Sequence, residues 1–244
     1  MSASGKQRLD VALVERNLVE SREKAQALIL AGKVTVNGQR ADKPGRSVDP
    51  EMKIEVEQPL KYVSRGGLKL EAALSTFRID VHGKTCFDVG TSTGGFTDCL
   101  LQHGAARVHA IDTGAGQIDW KLRSDARVVL HERTNARYLQ FQDVGECADL
   151  MVCDVSFISV TLLLPALLPL LKPDGDFVVL IKPQFEAGRE RVGAGGIVRD
   201  PAAHQFAIDR ISTAFREAGF TVQVIDSPIL GAEGNKEFLL HAHR

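Results

Sequence analysis

Four apolar stretches in this chain each end on a charged side chain. They are Cys86-Phe87-Asp88, Ala110-Ile111-Asp112, Val152-Cys153-Asp154 and Leu180-Ile181-Lys182. A fifth, Phe238-Leu239-Leu240, begins directly after Glu237. A carboxylate at the end of a strand can hold a ligand's hydroxyl groups. A lysine there can act as a base, provided burial or nearby cations lower its affinity for the proton. Directly after Asp88 comes Val89-Gly90-Thr91-Ser92-Thr93-Gly94-Gly95-Phe96. Glycine lets the backbone approach a ligand, and a helix opening at Gly95 would present free N–H groups to it. The glycines at 90, 94 and 95 do not have the G-x-G-x-x-G spacing of a dinucleotide fingerprint. Asp112 lies about 20 residues past the turn, the usual distance for a carboxylate that holds ribose hydroxyls. The stretch from Glu132 to Asn135, after the third strand, is placed to border a base.

These residues need a scaffold that brings strand ends to one edge. From Thr85 onward, strand and helix patterns alternate, which argues for a doubly wound α/β sheet. The patterns place strands at 85–89, 107–111, 127–130, 149–153, 176–181, 221–226 and 237–242. They place helices near 95–103, 115–123, 160–171 and 201–218, with a further helix running to about Phe77. Ligands in such sheets bind outside the carboxyl ends of the strands. If the last two strands form an antiparallel hairpin, Glu237 lies at that same edge.

The front of the chain reads differently. Leu9, Ala12 and Leu13 mark one helical face. Ser21 is a fitting N-cap for a second helix over 22–31, and Gly32 a fitting stop. Asn37-Gly38 between β-prone residues signals a hairpin, with a last strand at 52–56. Residues 1–65 hold 12 Lys and Arg against 9 Asp and Glu, while the remainder holds 18 against 22. A basic front on an acidic body points to a polyanion-binding module. The expected division is 1–58, a linker at 59–64, and 65–244.

Composition narrows the classes. Of 244 residues, 44% are hydrophobic and 25% charged, the balance of a soluble globular protein. The start of the chain is small and polar, without a secretory apolar segment. The most apolar run, 160–171, is too short to span a bilayer and contains Pro165 and Pro169. The expectation is a cytoplasmic protein that engages neither membrane nor DNA. Cysteines 86, 99, 147 and 153 show no metal-ligand spacing, so buried reduced thiols and no metal are expected.

The turn D-x-G-x-x-x-G-G resembles motif I of S-adenosylmethionine-dependent methyltransferases. Lys69, Asp154, Lys182 and Glu237, in this order around that motif, resemble the Lys-Asp-Lys-Glu tetrad of FtsJ-type 2′-O-ribose methyltransferases. The front, with Arg8-Leu9-Asp10 and Ala31-Gly32-Lys33-Val34-Thr35-Val36-Asn37-Gly38, resembles the S4 RNA-binding domain. The whole resembles the TlyA family of RNA 2′-O-methyltransferases, some of which are labelled haemolysins. That family's K-P-Q-F-E-x-G segment stands here as Lys182 to Gly188. Thr91-Ser92-Thr93 replaces the usual FtsJ Ala-Ala-Pro, a change that TlyA-like proteins share.

The resemblance implies a seven-stranded Rossmann-like sheet with the last strand antiparallel, behind a small α+β S4-like domain. It implies S-adenosylmethionine as cofactor, held by Asp88, Gly90, Thr91, Ser92, Thr93, Gly94, Gly95, Phe96, Asp112 and Asp154. It implies ribosomal RNA or a ribosomal subunit as partner, probed by Arg8, Arg22, Lys24, Lys33 and Arg65. A cytidine is the implied target. The implied catalytic set is Lys69, Asp154, Lys182 and Glu237, with Lys182 favoured as base.

Other readings fit less well. Gly90-Thr91-Ser92-Thr93-Gly94 formally matches a hydrolase nucleophile elbow, but His131 precedes Asp154 and the later histidines lie in a helix or near the terminus. An amino-directed base methyltransferase usually carries D/N-P-P-Y/F where this chain has Asp154-Val155-Ser156-Phe157, and no Pro-Cys occurs for cytosine-C5 chemistry. The soluble composition argues against a membrane-active haemolysin, and a pure RNA-binding module would not need the aligned charges. The basic, glycine-rich stretch Gly188 to Gly196 follows the favoured base and is expected to act as a mobile flap.

Overall fold

The computed structural model describes residues 5–57, 60–231 and 233–244. The chain divides into two units, Met1–Pro59 and Leu60–Arg244. Of the stretch read as linker, Pro59 lies outside the described residues, as does Gln58 before it, whereas 60–64 belong to the second unit. Tyr62 is buried there, and the Val63 N–H donates to Asp98 Oδ2 at 2.8 Å.

The first unit packs helices Leu9–Glu15 and Arg22–Leu30 over a small sheet. Ser21 caps the second helix by accepting from the Lys24 N–H at 3.2 Å. Strand Val34–Val36 pairs antiparallel with Gln39–Arg40 through a turn at Asn37 and Gly38, and with Ile54–Val56 on its other side. Both turn residues have positive φ, 50° and 76°, as a type I′ hairpin needs. Leu9, Leu13, Ile29, Val34 and Val48 fill its core. One polar group shares that interior. Asp10 is fully buried and accepts from Arg8, Arg22 and Gln26 at 2.8–3.0 Å. Chiefly the Arg8 guanidinium holds its carboxyl well below the ordinary range, against the opposing cost of burial.

The second unit is a seven-stranded sheet covered on both faces. Its strands are β1 (Thr85–Val89), β2 (Arg107–Ile111), β3 (Val128–His131), β4 (Ala148–Cys153), β5 (Leu171–Ile181), β6 (Thr221–Asp226) and β7 (Phe238–His243). Their spatial order is β6-β7-β5-β4-β1-β2-β3. The β1–β5 neighbours are parallel, while β7 runs antiparallel to both β5 and β6. Strands buried on both faces read as unbroken apolar runs, which makes these strands legible along the chain. Phe87, Met151, Phe177, Val179 and Leu240 face one layer with Phe215, while Cys86, Leu150, Val178 and Leu239 face the other with Leu70, Leu74 and Leu100.

Three helices matter to the site: α1 (Gly66–Phe77), α2 (Gly95–Gln102) and α3 (Pro201–Glu217). Two sequence expectations need correction. The helix expected near 115–123 is confined to Trp120–Arg123, because Asp119 caps the chain only there. The helix expected over 160–171 is three short pieces, Val160–Leu162, Leu164–Leu167 and Leu168–Leu170. Pro165 and Pro169 each remove a donor that a continuous helix would need.

Candidate active site

The turn after β1 is shaped by close approach. Gly90 has φ of 88°, and a Cβ there would lie 2.6 Å from the Asp154 carbonyl oxygen, so two strand ends can meet only if this residue has no side chain. At Gly95 a Cβ would lie 2.2 Å from Ser64 Oγ and 3.0 Å from Gly67 N, so the start of α2 touches the start of α1. Ser92 donates its N–H to Asp112 Oδ2 at 2.8 Å, and Gly114 donates to Oδ1 at 2.7 Å. The Asp112 carboxylate is thus held at the end of β2 with acceptor capacity left over.

The motif implied that Asp88 helps to hold the cofactor. Its side chain is fully buried and turns inward, with Oδ2 accepting from the Thr97 N–H at 3.0 Å and Thr97 Oγ1 at 2.6 Å. It anchors the first turn of α2, so its carboxylate does not line the cleft. Burial pushes its carboxyl up to about 7, against the Thr97 bonds, and the carboxylates of Asp154 and Asp112 add to the rise. Thr91 donates to the Asp88 carbonyl at 2.9 Å, and Phe96 is buried under the turn.

A cleft of about 460 Å³ runs along the carboxyl edge, lined by Gly90, Ser92, Asp112, Asn135, Asp154 and Phe157 among others. A second, of about 390 Å³, is lined by Arg65, Lys69, Thr93, Phe96 and Asp154. The two clefts share Gly90, Ser92 and Asp154. An elongated group with a ribose would find an oriented carboxylate at Asp112 and a backbone cradle at Gly90. The donor set therefore fits a nucleoside-bearing cofactor.

The four charged residues form two ion pairs. Lys69 Nζ, from the first turns of α1, lies 2.5 Å from Glu237 Oε2, and both side chains are buried. Lys182 Nζ, just past β5, lies 2.5 Å from Asp154 Oδ1, just past β4. That contact is an ion pair without hydrogen-bond alignment, and Lys182 donates instead to Ser156 Oγ at 3.0 Å. The antiparallel return of β7 delivers Glu237 to the edge where β4 and β5 end. The buried Lys69–Glu237 pair is of the kind that is costly to form and very costly to break on one side, whereas Asp154 keeps about a quarter of its side chain open to water.

The sequence did not single out Phe157. It is 90% exposed, has φ of 67°, and packs against Phe185 with ring centroids 5.1 Å apart at the rim of the larger cleft. A bulky residue held in the left-handed region marks a functional loop. The signal lay in Asp154-Val155-Ser156-Phe157 itself, all four of which border the cleft. The stretch after Lys182 is tethered at several points. Asn235 Oδ1 accepts from the Val198 N–H at 2.9 Å, its Nδ2 donates to the Gly196 carbonyl at 2.9 Å, and Arg191 stacks over Phe206.

The cations expected to meet RNA in the first unit are all paired. Arg8 and Arg22 hold Asp10, Lys24 lies 3.1 Å from Glu20, and Lys33 lies 2.7 Å from Glu57. Each nonetheless keeps about half its side chain exposed. In the second unit Arg65 is exposed beside Lys69, with its guanidinium 3.4 Å from the Leu230 carbonyl. Cys86, Cys99 and Cys153 are buried free thiols, and Cys147 is half-buried.

The family models match over both units. Residues 62–244 match the FtsJ-like methyltransferase family and residues 7–54 the S4 domain. The 16S/23S rRNA (cytidine-2′-O)-methyltransferase TlyA of Mycobacterium tuberculosis is 46% identical, over 96% of this chain and 88% of that protein. The chain belongs to the TlyA family. Hemolysin A of Brachyspira hyodysenteriae is 45% identical, over 96% of this chain and 98% of its own. A solved structure from Streptococcus thermophilus that carries a hemolysin name superposes with a TM-score of 0.75 at 44% identity, covering 99% of this chain and 90% of that one. In this TlyA-family chain the K-P-Q-F-E-x-G stretch is the turn that carries Lys182 out of β5. Among the described residues no helix is long and apolar enough to cross a membrane.

Proposed function

We propose that this chain transfers a methyl group from S-adenosylmethionine to a ribose 2′-hydroxyl of ribosomal RNA in the cytoplasm. The observation that carries the reading is the pairing of Lys69 with Glu237 and Lys182 with Asp154, around clefts that share Gly90, Ser92 and Asp154. A ribose hydroxyl is a poor nucleophile and must lose its proton during attack, so a positioned base is needed. When bound, S-adenosylmethionine supplies an electrophilic methyl on a sulfonium centre. Asp112 would hold its ribose hydroxyls, Gly90 and Ser92 would offer it backbone, and Asn135 would border its base. Lys182 takes the hydroxyl proton as the neutral amine, and Asp154, which borders both clefts, holds the ammonium so formed. Lys69, held by Glu237, places the acceptor ribose. Phe157 offers an aromatic face to an incoming base, a sequence-tolerant contact for an unstacked nucleotide. The S4 unit holds structured RNA through phosphates and shape. A cytidine target follows the relative from M. tuberculosis, whose name specifies one.

The test is single-turnover transfer from labelled S-adenosylmethionine to ribosomal RNA. Lys182→Ala should lower the rate by about 10²–10⁴-fold, the usual worth of a general base, while S-adenosylhomocysteine affinity and folding stay near wild type. Near-normal transfer by the variant, or methylation of a target lacking its 2′-hydroxyl, would overturn the 2′-O mechanism.

A further inference from the structure

The two loops that carry the Lys182–Asp154 pair are joined a second time behind it. One runs from Asp154, past β4, to the short helix Val160–Leu162. The other leaves β5 at Lys182 as the one-turn helix Pro183–Glu186. At the cleft they meet through Lys182 with Asp154 and Ser156. Midway, Phe157 packs on Phe185. At the rear, Glu186 is 2% exposed. Its Oε2 accepts from Ser159 Oγ at 2.6 Å and its Oε1 from the Val160 N–H at 3.0 Å.

Neither cofactor binding nor proton removal calls on Glu186. Placing a carboxyl in an apolar interior is costly, and burial raises its affinity for the proton. Packing alone would be served by an aliphatic side chain. Both of its oxygens are spent on the opposite loop, at the base of the segment that carries Asp154, Ser156 and Phe157. Its own backbone is held from the other side, where Arg210 Nη1 donates to the Glu186 carbonyl at 2.9 Å from α3. The carboxyl therefore ties a loop to a rigid helix, with the catalytic pair a few residues away on both strands of the tie.

We infer that Glu186 is a positioning residue for methyl transfer: it clamps the Asp154 loop to the Lys182 segment and thereby holds Lys182 Nζ in place beside Asp154 and Ser156. The inference rests on the reading of Lys182 as the base. Misplacing a reacting group by about 1 Å can cost about 10²-fold in rate, so a loosened clamp should appear in the chemical step.

The experiment compares Glu186→Ala, Glu186→Gln and Ser159→Ala with wild type in single-turnover transfer to ribosomal RNA. S-adenosylhomocysteine affinity is measured by calorimetry on the same preparations. Glu186→Ala should slow transfer by about 10–100-fold while that affinity changes by less than about threefold. Glu186→Gln keeps an acceptor for the Val160 N–H and offers its amide to Ser159 Oγ, so it should recover to within about threefold of wild type. Ser159→Ala should slow transfer by about three- to tenfold, and the double variant with Glu186→Ala should be no slower than Glu186→Ala alone, as for one shared interaction. If Glu186→Ala does not fold, Ser159→Ala and Glu186→Gln decide the matter. Wild-type rates in folded Glu186→Ala or in Ser159→Ala would overturn the inference. So would rate and affinity falling by the same factor with no rescue by glutamine, the mark of a purely structural role. A wild-type protein that transfers no methyl would instead defeat the functional reading, which cofactor binding and Lys182→Ala test separately.

Discussion

Asp88 ties the end of β1 to the helix that follows the glycine turn. Its carboxyl closes the first turn of α2 through Thr97, and its second oxygen, Oδ1, is buried without a partner among the described residues. With the folded value raised to about 7, the native state binds a proton that the unfolded chain releases at about 3.9. The resulting stability is complete below the unfolded value and is lost as pH rises through about 7. His131 works in the opposite sense, because burial, and after it the neighbouring His109, favours its neutral form. The contribution of Asp88 must therefore be read as a difference. From about pH 5 to about pH 8 the urea midpoint of Asp88→Asn should fall less than that of wild type, and at the upper end the variant should be the more stable. An identical pH dependence in the two proteins would show that Asp88 is ionised throughout.

At the scale of elements, the site depends on how closely strand ends approach. The turn after β1 and the end of β4 are in backbone contact at Gly90 and Asp154. Gly90→Ala places a methyl 2.6 Å from a carbonyl oxygen that is itself part of the β4 exit, in a conformation with φ of 88°. Strain of this kind costs about 1–3 kcal/mol before the clash is counted. Relief requires that Asp154 shift, and with it the partner of Lys182. Gly90→Ala should lower the urea midpoint and weaken S-adenosylhomocysteine binding together. Unchanged values for both, measured by denaturation and calorimetry, would mean that the turn has more room than the structure gives it.

For the molecule as a whole, the question is where RNA affinity resides. Arg8, Arg22, Lys24 and Lys33 are neutralised locally by Asp10, Glu20 and Glu57, so RNA must compete with carboxylates for them. Replacing Arg22, Lys24 and Lys33 together by Ala should still weaken RNA binding. The salt slope should drop by about 0.9 for each duplex phosphate that the variant no longer neutralises. The unit should stay folded, since Asp10 keeps Arg8 and Gln26. S-adenosylhomocysteine affinity should not move. A salt slope equal to wild type would assign RNA binding to other residues, Arg65 among them.

The sheet was legible from the order of residues alone. Strands buried on both faces are apolar over the buried stretch, so their places and the charges at their carboxyl ends could be read directly, but β5 begins at Leu171 rather than 176 because its polar first half carries no such run. The hairpin at Asn37-Gly38 was equally plain, because few residue pairs adopt its backbone, and so was the order of the four tetrad residues. The pairing among those residues was not. Lys69 and Glu237 are 168 positions apart, and they meet because β7 reverses direction between β5 and β6. Asp88 and Asp112 look alike in sequence, each an acid at the end of an apolar strand. Only the packing of α2 turns one inward and leaves the other at the cleft. Phe157 and Glu186 both lie in loops just past a strand, yet one is exposed and the other buried. Pattern along the chain reports local periodicity and burial. Which side chains converge is set by contacts between distant segments, and these exist only once the chain has closed on itself.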